Sequence, residues 1–225
     1  MGPLAGFTVL DLTSVLMGPY GTQVLADMGA EIIKVESPEG DIVRQIGPGR
    51  TPGMGGMFLN ANRGKRSIVL DLKKPEGRDT LLLLARRANA LVYNVRPQAM
   101  ARLGLDYETL AAINPALVYV GAFGYGQSGP YAAKPAYDDL IQGATALPAL
   151  MAQTGDGVPR YVPNALVDRI VGLTAVGAIC APIQNSRILR DAPPISTSSM
   201  PSSPASSRRG PRPSGSSCSP RPTCR

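Results

Sequence analysis

The sequence contains no histidine and no tryptophan. The first absence excludes Ser-His-Asp and Cys-His catalysis and most zinc sites, so chemistry must come from carboxylates, lysine, tyrosine, cysteine or backbone amides. Cysteine is scarce as well. Cys180, Cys218 and Cys224 form neither a disulfide framework nor a metal-ligand spacing, and a reducing cytoplasm is the expected location. No apolar run approaches the length of a membrane span, and Met1-Gly2-Pro3-Leu4 lacks a basic region leading into an apolar one. A soluble protein with no membrane partner is the expectation. Charged residues make up only 17% against 44% hydrophobic, which over 225 residues is a globular composition with material for one good-sized core.

The formal net charge of +7 would suggest a polyanionic partner, but it is unevenly distributed. Residues 182–225 hold seven arginines, no lysine and one acid, whereas residues 1–181 hold sixteen bases and fifteen acids. The body of the chain is nearly neutral, so no nucleic-acid partner is expected. Residues 182–225 are dominated by Ser, Pro and Arg, as in Arg208-Arg209-Gly210-Pro211-Arg212-Pro213, and no apolar period survives there. Such a composition cannot build a packed core and predicts a disordered tail.

In residues 1–181, strand and helix patterns alternate. Thr8-Val9-Leu10-Asp11-Leu12 reads as a strand, residues 19–28 as a helix stopped by Gly29, and Glu31-Ile32-Ile33-Lys34-Val35 as a second strand, together a β-α-β unit. Residues 37–66 are rich in Gly and Pro without periodicity and read as a long surface loop. Their glycines neither follow a clear strand nor open a helix, so they make a poor phosphate cradle. A strand over residues 67–72, a helix opening at Pro75, a strand at Ala90-Leu91-Val92-Tyr93, a short helix ending at Gly104, a helix capped by Asp106, and a strand at Leu117-Val118-Tyr119-Val120 follow. One further helix is expected over residues 137–151. The order predicts an α/β, Rossmann-like domain with a mostly parallel sheet flanked by helices, and a ligand cleft at the carboxyl ends of the strands. Those ends carry Ser14 to Gly18, Lys73, Asn94 to Arg96 and the loop at Gly124, which are expected to share one cleft.

Residues 164–180 are small or apolar over about four turns and predict a buried helix, with Asn164 as its N-cap. One acid, Asp168, falls in its first turns. A carboxylate there has an ordinary explanation, because backbone amides and the macrodipole stabilise it. The same field would lower its pKa and keep it ionised, as covalent catalysis by Asp requires.

Several collinear segments look familiar. Leu10-Asp11-Leu12-Thr13 followed by Gly18-Pro19-Tyr20, then Leu25-Ala26-Asp27-Met28-Gly29-Ala30-Glu31-Ile32-Ile33-Lys34-Val35-Glu36, Asn62-Arg63-Gly64-Lys65-Arg66-Ser67, Asn94-Val95-Arg96-Pro97, Gly124-Tyr125-Gly126-Gln127-Ser128-Gly129-Pro130-Tyr131 and Pro135-Ala136-Tyr137-Asp138 resemble, in order and spacing, the family III CoA-transferases. The resemblance covers residues 3–180, the N-terminal part of that family. It implies an acyl-CoA thioester and a small carboxylic acid as substrates, no permanently bound cofactor, no metal, and a homodimer in the full-length family. The catalytic aspartate falls on Asp168. By the same comparison the CoA cleft is lined by Val15, Leu16 and Met17 near the thiol end, by Leu70, Asp71, Leu72 and Lys73, by Asn94, Val95 and Arg96, by Arg102, and by Tyr137.

Two departures bear on specificity. Formyl-CoA transferases carry glutamine where this chain has Leu16, which argues against formyl and oxalyl substrates, and the usual glutamate before Asn94 is Tyr93. Acyl-CoA racemases of the same fold use a histidine near the position of Tyr137 and an aspartate, and this chain has no histidine, which favours transfer over racemisation. Because the resemblance stops inside a helix near Ala181, residues 182–225 read as out-of-frame translation, and a non-catalytic CoA-binding remnant is the remaining alternative.

Overall fold

The computed structural model describes residues 2–191, with side chains as far as residue 182. Five strands, β1 (Thr8–Leu12), β2 (Glu31–Glu36), β3 (Arg66–Val69), β4 (Ala90–Tyr93) and β5 (Val118–Gly121), form one sheet in the order β3-β2-β1-β4-β5. Every pairing is parallel; Val9 of β1 faces Ile32 on one side and Ala90 on the other. The order reverses at β1. From β1 the chain builds outward to β2 and β3, then returns to lay β4 against the other edge of β1, which is the doubly wound arrangement.

Parallel strands of such a sheet are covered on both faces, and the sequence shows it: β4 is buried at all four positions. On one face Leu10, Leu81, Leu91, Met100, Leu105 and Leu110 pack together beneath α3 (Pro75–Ala85), α4 (Pro97–Arg102) and α5 (Tyr107–Ile113). On the other, Leu4, Phe7, Val9, Leu25, Ile32, Val92 and Ile179 join α1 (Met17–Asp27) and α8 (Leu166–Asp191) to the sheet. Each fully buried Leu or Ile contributes roughly 1.5–3 kcal/mol.

The helices start for local reasons. Pro75 and Pro97 occupy first-turn positions where no backbone N–H is needed, and the Asp106 carboxylate accepts the Thr109 N–H at 2.9 Å, the cap expected of it.

Three expectations are corrected. Residues 37–66 are not a bare loop: they hold a 3₁₀ turn (Ile42–Gln45), capped by Asp41, and α2 (Gly56–Ala61). The segment is fastened to β2 by a bidentate pair between Arg44 and Glu36, at 2.6 and 2.7 Å, with the Arg44 guanidinium stacked 3.7 Å from the Phe58 ring. Residues 137–151 are two helices, α6 (Asp138–Ala144) and α7 (Leu147–Thr154), because Ala146 adopts a left-handed backbone with φ of 58° and Pro148 follows in the first turn of α7. The final helix opens at Leu166, and Asn164 does not cap it. Instead the Asp138 carboxylate, from α6, accepts the Asp168 N–H at 3.0 Å. Nor is the helix the buried one expected: Ile170 and Leu173 are half exposed, and between residues 166 and 182 only Gly172 and Ile179 are buried. This helix runs through Pro182 to Asp191; the expected Ser/Pro/Arg tail beyond that point lies outside the described residues.

Candidate active site

The turn leaving β1 is the centre of the carboxyl edge of the sheet. In Thr13, Ser14 and Val15 the backbone polar groups are taken up by side chains. Thr13 donates its N–H to Asp11 at 2.9 Å and accepts Lys34 Nζ at 2.9 Å, Ser14 exchanges two bonds with the Asn94 amide at 3.1 and 2.8 Å, and Val15 donates to Asp41 at 3.2 Å. The Ser14–Asn94 exchange ties the loops after β1 and β4 across the point where strand order reverses, which is where doubly wound folds hold ligands.

Beneath the turn lies a buried charge network. Asp11 is fully buried; its carboxylate meets Lys65 Nζ at 2.9 Å, the Thr22 hydroxyl at 2.6 Å and the Thr13 hydroxyl. Burial alone would raise its pKa, but Lys65 and Lys34 and the two hydroxyls outweigh it, and the net shift is downward. Lys34, 1% exposed, pairs with Asp41 at 2.9 Å. Glu36 is held at a pKa of about 2: its burial is more than offset by hydrogen bonds from Arg44, Ser67 and the Asp41 N–H. Sequence reasoning did not single out Lys34, Asp41 or Lys65. The signal was present, because a charged residue inside an apolar strand, as in Leu10-Asp11-Leu12 and Ile33-Lys34-Val35, must find a partner.

Two cavities open above this network. The larger, about 420 Å³, is lined by Leu12, Thr13 and Ser14 from β1 and its turn, by Lys34 and Asp41, and by four of the expected residues, Leu70, Leu72, Lys73 and Val95. The smaller, about 180 Å³, is lined by the expected Met17, Asn94 and Arg96 together with Gly124, Gln127 and Lys134. The single cleft expected from the sequence is therefore two, with the Thr13–Met17 turn and Asn94 at the partition. Val15, Leu16, Asp71, Arg102, Tyr137 and Asp168 line neither cavity. Leu16 is buried; Arg102 and Tyr137 are exposed; Asp71 accepts the Lys73 N–H at 3.1 Å. Among the described residues no cluster of His, Cys, Asp and Glu could hold a metal ion, and no helix is long and apolar enough to cross a membrane.

Asp168 reaches this edge through α8. Gly172 lies against α1 so closely that a Cβ on it would meet the Met17 carbonyl oxygen at 2.7 Å, and one on Gly21 would meet the Gly172 oxygen at 2.8 Å. Two turns further on, Ile179 packs in the same cluster as Leu25. The helices thus run side by side in the same direction, and the first turn of α8 lies at the carboxyl edge of the sheet, one turn from Met17. Its neighbour Arg169 places its guanidinium 5.1 Å from the Tyr20 ring.

The Asp168 carboxyl is half-buried, and its pKa is raised to about 6, first by burial and then by the nearby Asp138 carboxylate. This reverses the lowering expected from the helix terminus: desolvation and a second negative charge outweigh the macrodipole, and the Asp168 amide in the first turn is already taken by Asp138. Asp138 is in turn held by Gln142 Nε2 at 2.5 Å, and Gln142 Oε1 accepts the Val162 N–H at 2.9 Å, fastening the segment before α8 to α6.

Comparisons with known proteins point one way. The profile of CoA-transferase family III matches residues 4–190. Over 186 residues the chain is 43% identical to the succinate–glutarate CoA-transferase of Agrobacterium fabrum, an alignment covering 80% of this chain and 46% of that one. It is 45% identical over 174 residues to the acetyl-CoA:oxalate CoA-transferase of Acetobacter aceti, covering 76% and 44%. Among solved structures, a CAIB/BAIF family protein from Brucella suis superposes with a TM-score of 0.76 at 40% identity, covering 83% of this chain and 50% of that one. The D175A mutant of Rv3272 from Mycobacterium tuberculosis superposes at 0.75 with 36% identity and the same coverage. The chain spans about half the length of the relatives it matches. Matched along most of its described length in both sequence and fold, this chain belongs to CoA-transferase family III.

Proposed function

We propose that the chain transfers CoA between an acyl-CoA thioester and a small carboxylic acid, with Asp168 as the nucleophile. The observation that carries this reading is the placement of a half-buried carboxylate at the carboxyl edge of the sheet, one turn of α8 from Met17 in the wall of the smaller cavity. With a pKa of about 6, Asp168 is about nine-tenths ionised at pH 7, and partial loss of its hydration leaves it more reactive than a free carboxylate.

The carboxylate attacks the thioester carbonyl, the C–S bond breaks, and an acyl-aspartyl anhydride and CoA thiolate result. The thiolate then attacks the aspartyl carbonyl of the anhydride. This releases the donor acid as carboxylate and leaves an aspartyl-CoA thioester. The acceptor carboxylate attacks that thioester to form a second anhydride, and the returning thiolate attacks its acyl carbonyl, giving the new acyl-CoA and free Asp168. No proton is transferred at any step, which is compatible with a chain that lacks histidine. Arg96 and Lys134 on the smaller cavity and Lys73 on the larger supply positive charge for carboxylate and phosphate groups. The names of the relatives point to small dicarboxylic acids such as succinate and glutarate as the class of acceptor, and the 45% identity to an oxalate transferase weighs against reading Leu16 as a bar to oxalate.

The test is incubation of the full chain with acyl-radiolabelled and CoA-radiolabelled thioester, followed by hydroxylamine. Cleavage of an Asp168 ester-level adduct to the hydroxamate, located by peptide mass, is the expected result. A folded protein that binds CoA and forms no adduct would show a binding remnant instead.

A further inference from the structure

Val15 is a β-branched residue with φ of 72°, a left-handed conformation that costs such side chains more than any other class. It lies in the turn that partitions the two cavities: Thr13 and Ser14 before it line the larger, and Met17 after it lines the smaller. A strained residue persists only where its surroundings over-determine it. Here the restraint is visible. Lys34 Nζ holds the Thr13 carbonyl at 2.9 Å, Asp41 holds the Val15 N–H at 3.2 Å, and the two side chains are joined to each other at 2.9 Å, each 1% exposed. Asp41 is itself set by the Glu36 carboxylate, which accepts its N–H at 3.0 Å, and by the Val43 N–H, donated to it at 3.2 Å.

We propose that the buried Lys34–Asp41 pair is a clamp that forces Val15 into its left-handed conformation and thereby holds the partition between the cavities in the shape that receives the thioester end of the ligand. Lys34 and Asp41 are then positioning residues. The ligand assignment rests on the proposed CoA-transferase function; the mechanical link between the pair and Val15 does not. A buried ion pair contributes little net stability compared with an apolar pair of similar volume, so its presence beneath the turn is better accounted for by what it grips.

The test is a cycle of four full-length chains: wild type, Val15→Gly, the paired replacement Lys34→Met with Asp41→Leu, and all three changes together. The paired replacement removes both charges at once, so neither is left buried without a partner, and Asp11 keeps Lys65. Glycine adopts a positive φ freely, so Val15→Gly should raise the folding equilibrium constant of the clamped protein by roughly fivefold and leave that of the unclamped protein unchanged or lower. CoA affinity, measured by calorimetry, should fall on the order of tenfold with the paired replacement. It should return to within about threefold of wild type when glycine is added, because glycine takes the required conformation without being forced. A core that merely repacks would show no such rescue. Equal stabilisation by glycine in both backgrounds, or wild-type CoA affinity in the unclamped chain, would overturn the clamp. The folding cycle needs no ligand, so if the wild-type chain fails to bind CoA, the proposed function is refuted and that cycle alone decides the clamp.

Discussion

Replacing Gly172 with alanine separates the position of Asp168 from its chemistry. A Cβ on Gly172 would stand 2.7 Å from the Met17 carbonyl oxygen, 3.2 Å from Tyr20 Cδ1 and 3.3 Å from the Gly21 N, so most of what it meets is backbone of α1 and cannot swing aside. Ordinary contact requires the helices to part by at least ~0.5 Å. Alanine gains about 1 kcal/mol of helix propensity over glycine, while the overpacking costs about 1–3 kcal/mol, so a net destabilisation near 1 kcal/mol is expected. The effect on chemistry should be larger. Asp168 sits one turn before the contact, and displacement of a reacting group by a substantial fraction of an ångström costs on the order of tenfold to a hundredfold in rate. Urea unfolding gives the first quantity and the rate of hydroxylamine-trapped adduct formation gives the second. A G172A chain that forms adduct at the wild-type rate would refute the placement of Asp168 through the α1–α8 contact.

The raised Asp168 pKa makes two further statements. Adduct formation should fall as pH drops through about 6, where the nucleophile becomes protonated, and Asp138→Asn should move that limb to lower pH by removing the neighbouring charge while its side-chain oxygen still accepts the Asp168 N–H; a pH-rate profile unchanged in the variant would contradict the coupling. For stability the sign is opposite to that of a salt-bridged acid. A folded-state pKa above the unfolded one means that this group's contribution is fully present below about pH 4 and is lost as pH rises through about 6. Asp168→Asn should therefore stabilise the protein at pH 7 and above, by about 1 kcal/mol once the carboxyl's partial exposure to solvent is discounted, and have no such effect at pH 4. Thermal melts at the two pH values check this, and equal shifts at both would count against it.

The architecture was largely legible because it is written in short apolar runs. β1 and β4 match the expected strands residue for residue, and Pro75 and Asp106 begin their helices as local chemistry predicts. What failed was set by partners distant in sequence. Asn164 is a good cap by type, yet the Asp168 amide is taken by Asp138, thirty residues before it. The break at Ala146 depends on a backbone conformation that alanine does not favour, and Pro148 was its one sign in the sequence. For the site, the strand pattern supplied the segments that meet at the carboxyl edge, but not that the Thr13–Met17 turn divides them into two cavities. Lys34 of β2, Asp41 of the turn beyond it and Asn94 just after β4 reach across to that turn, and side-chain reach of this kind is invisible to periodicity.

The placement of β1 in the middle of the sheet also dictates when the chain can fold. β1 is made before both its neighbours and has both its edges open until β2 and β4 arrive, and the Thr8 N–H awaits the Asn89 side chain 81 residues later. The Asp11 carboxylate is separated from its Lys65 partner by 54 residues. Burying β1 before Lys65 is in place would leave Asp11 without its direct partner, its charge offset only by Lys34 and two hydroxyls. The buried pair thus makes the burial of β1 depend on a residue that lies between β2 and β4 in the chain.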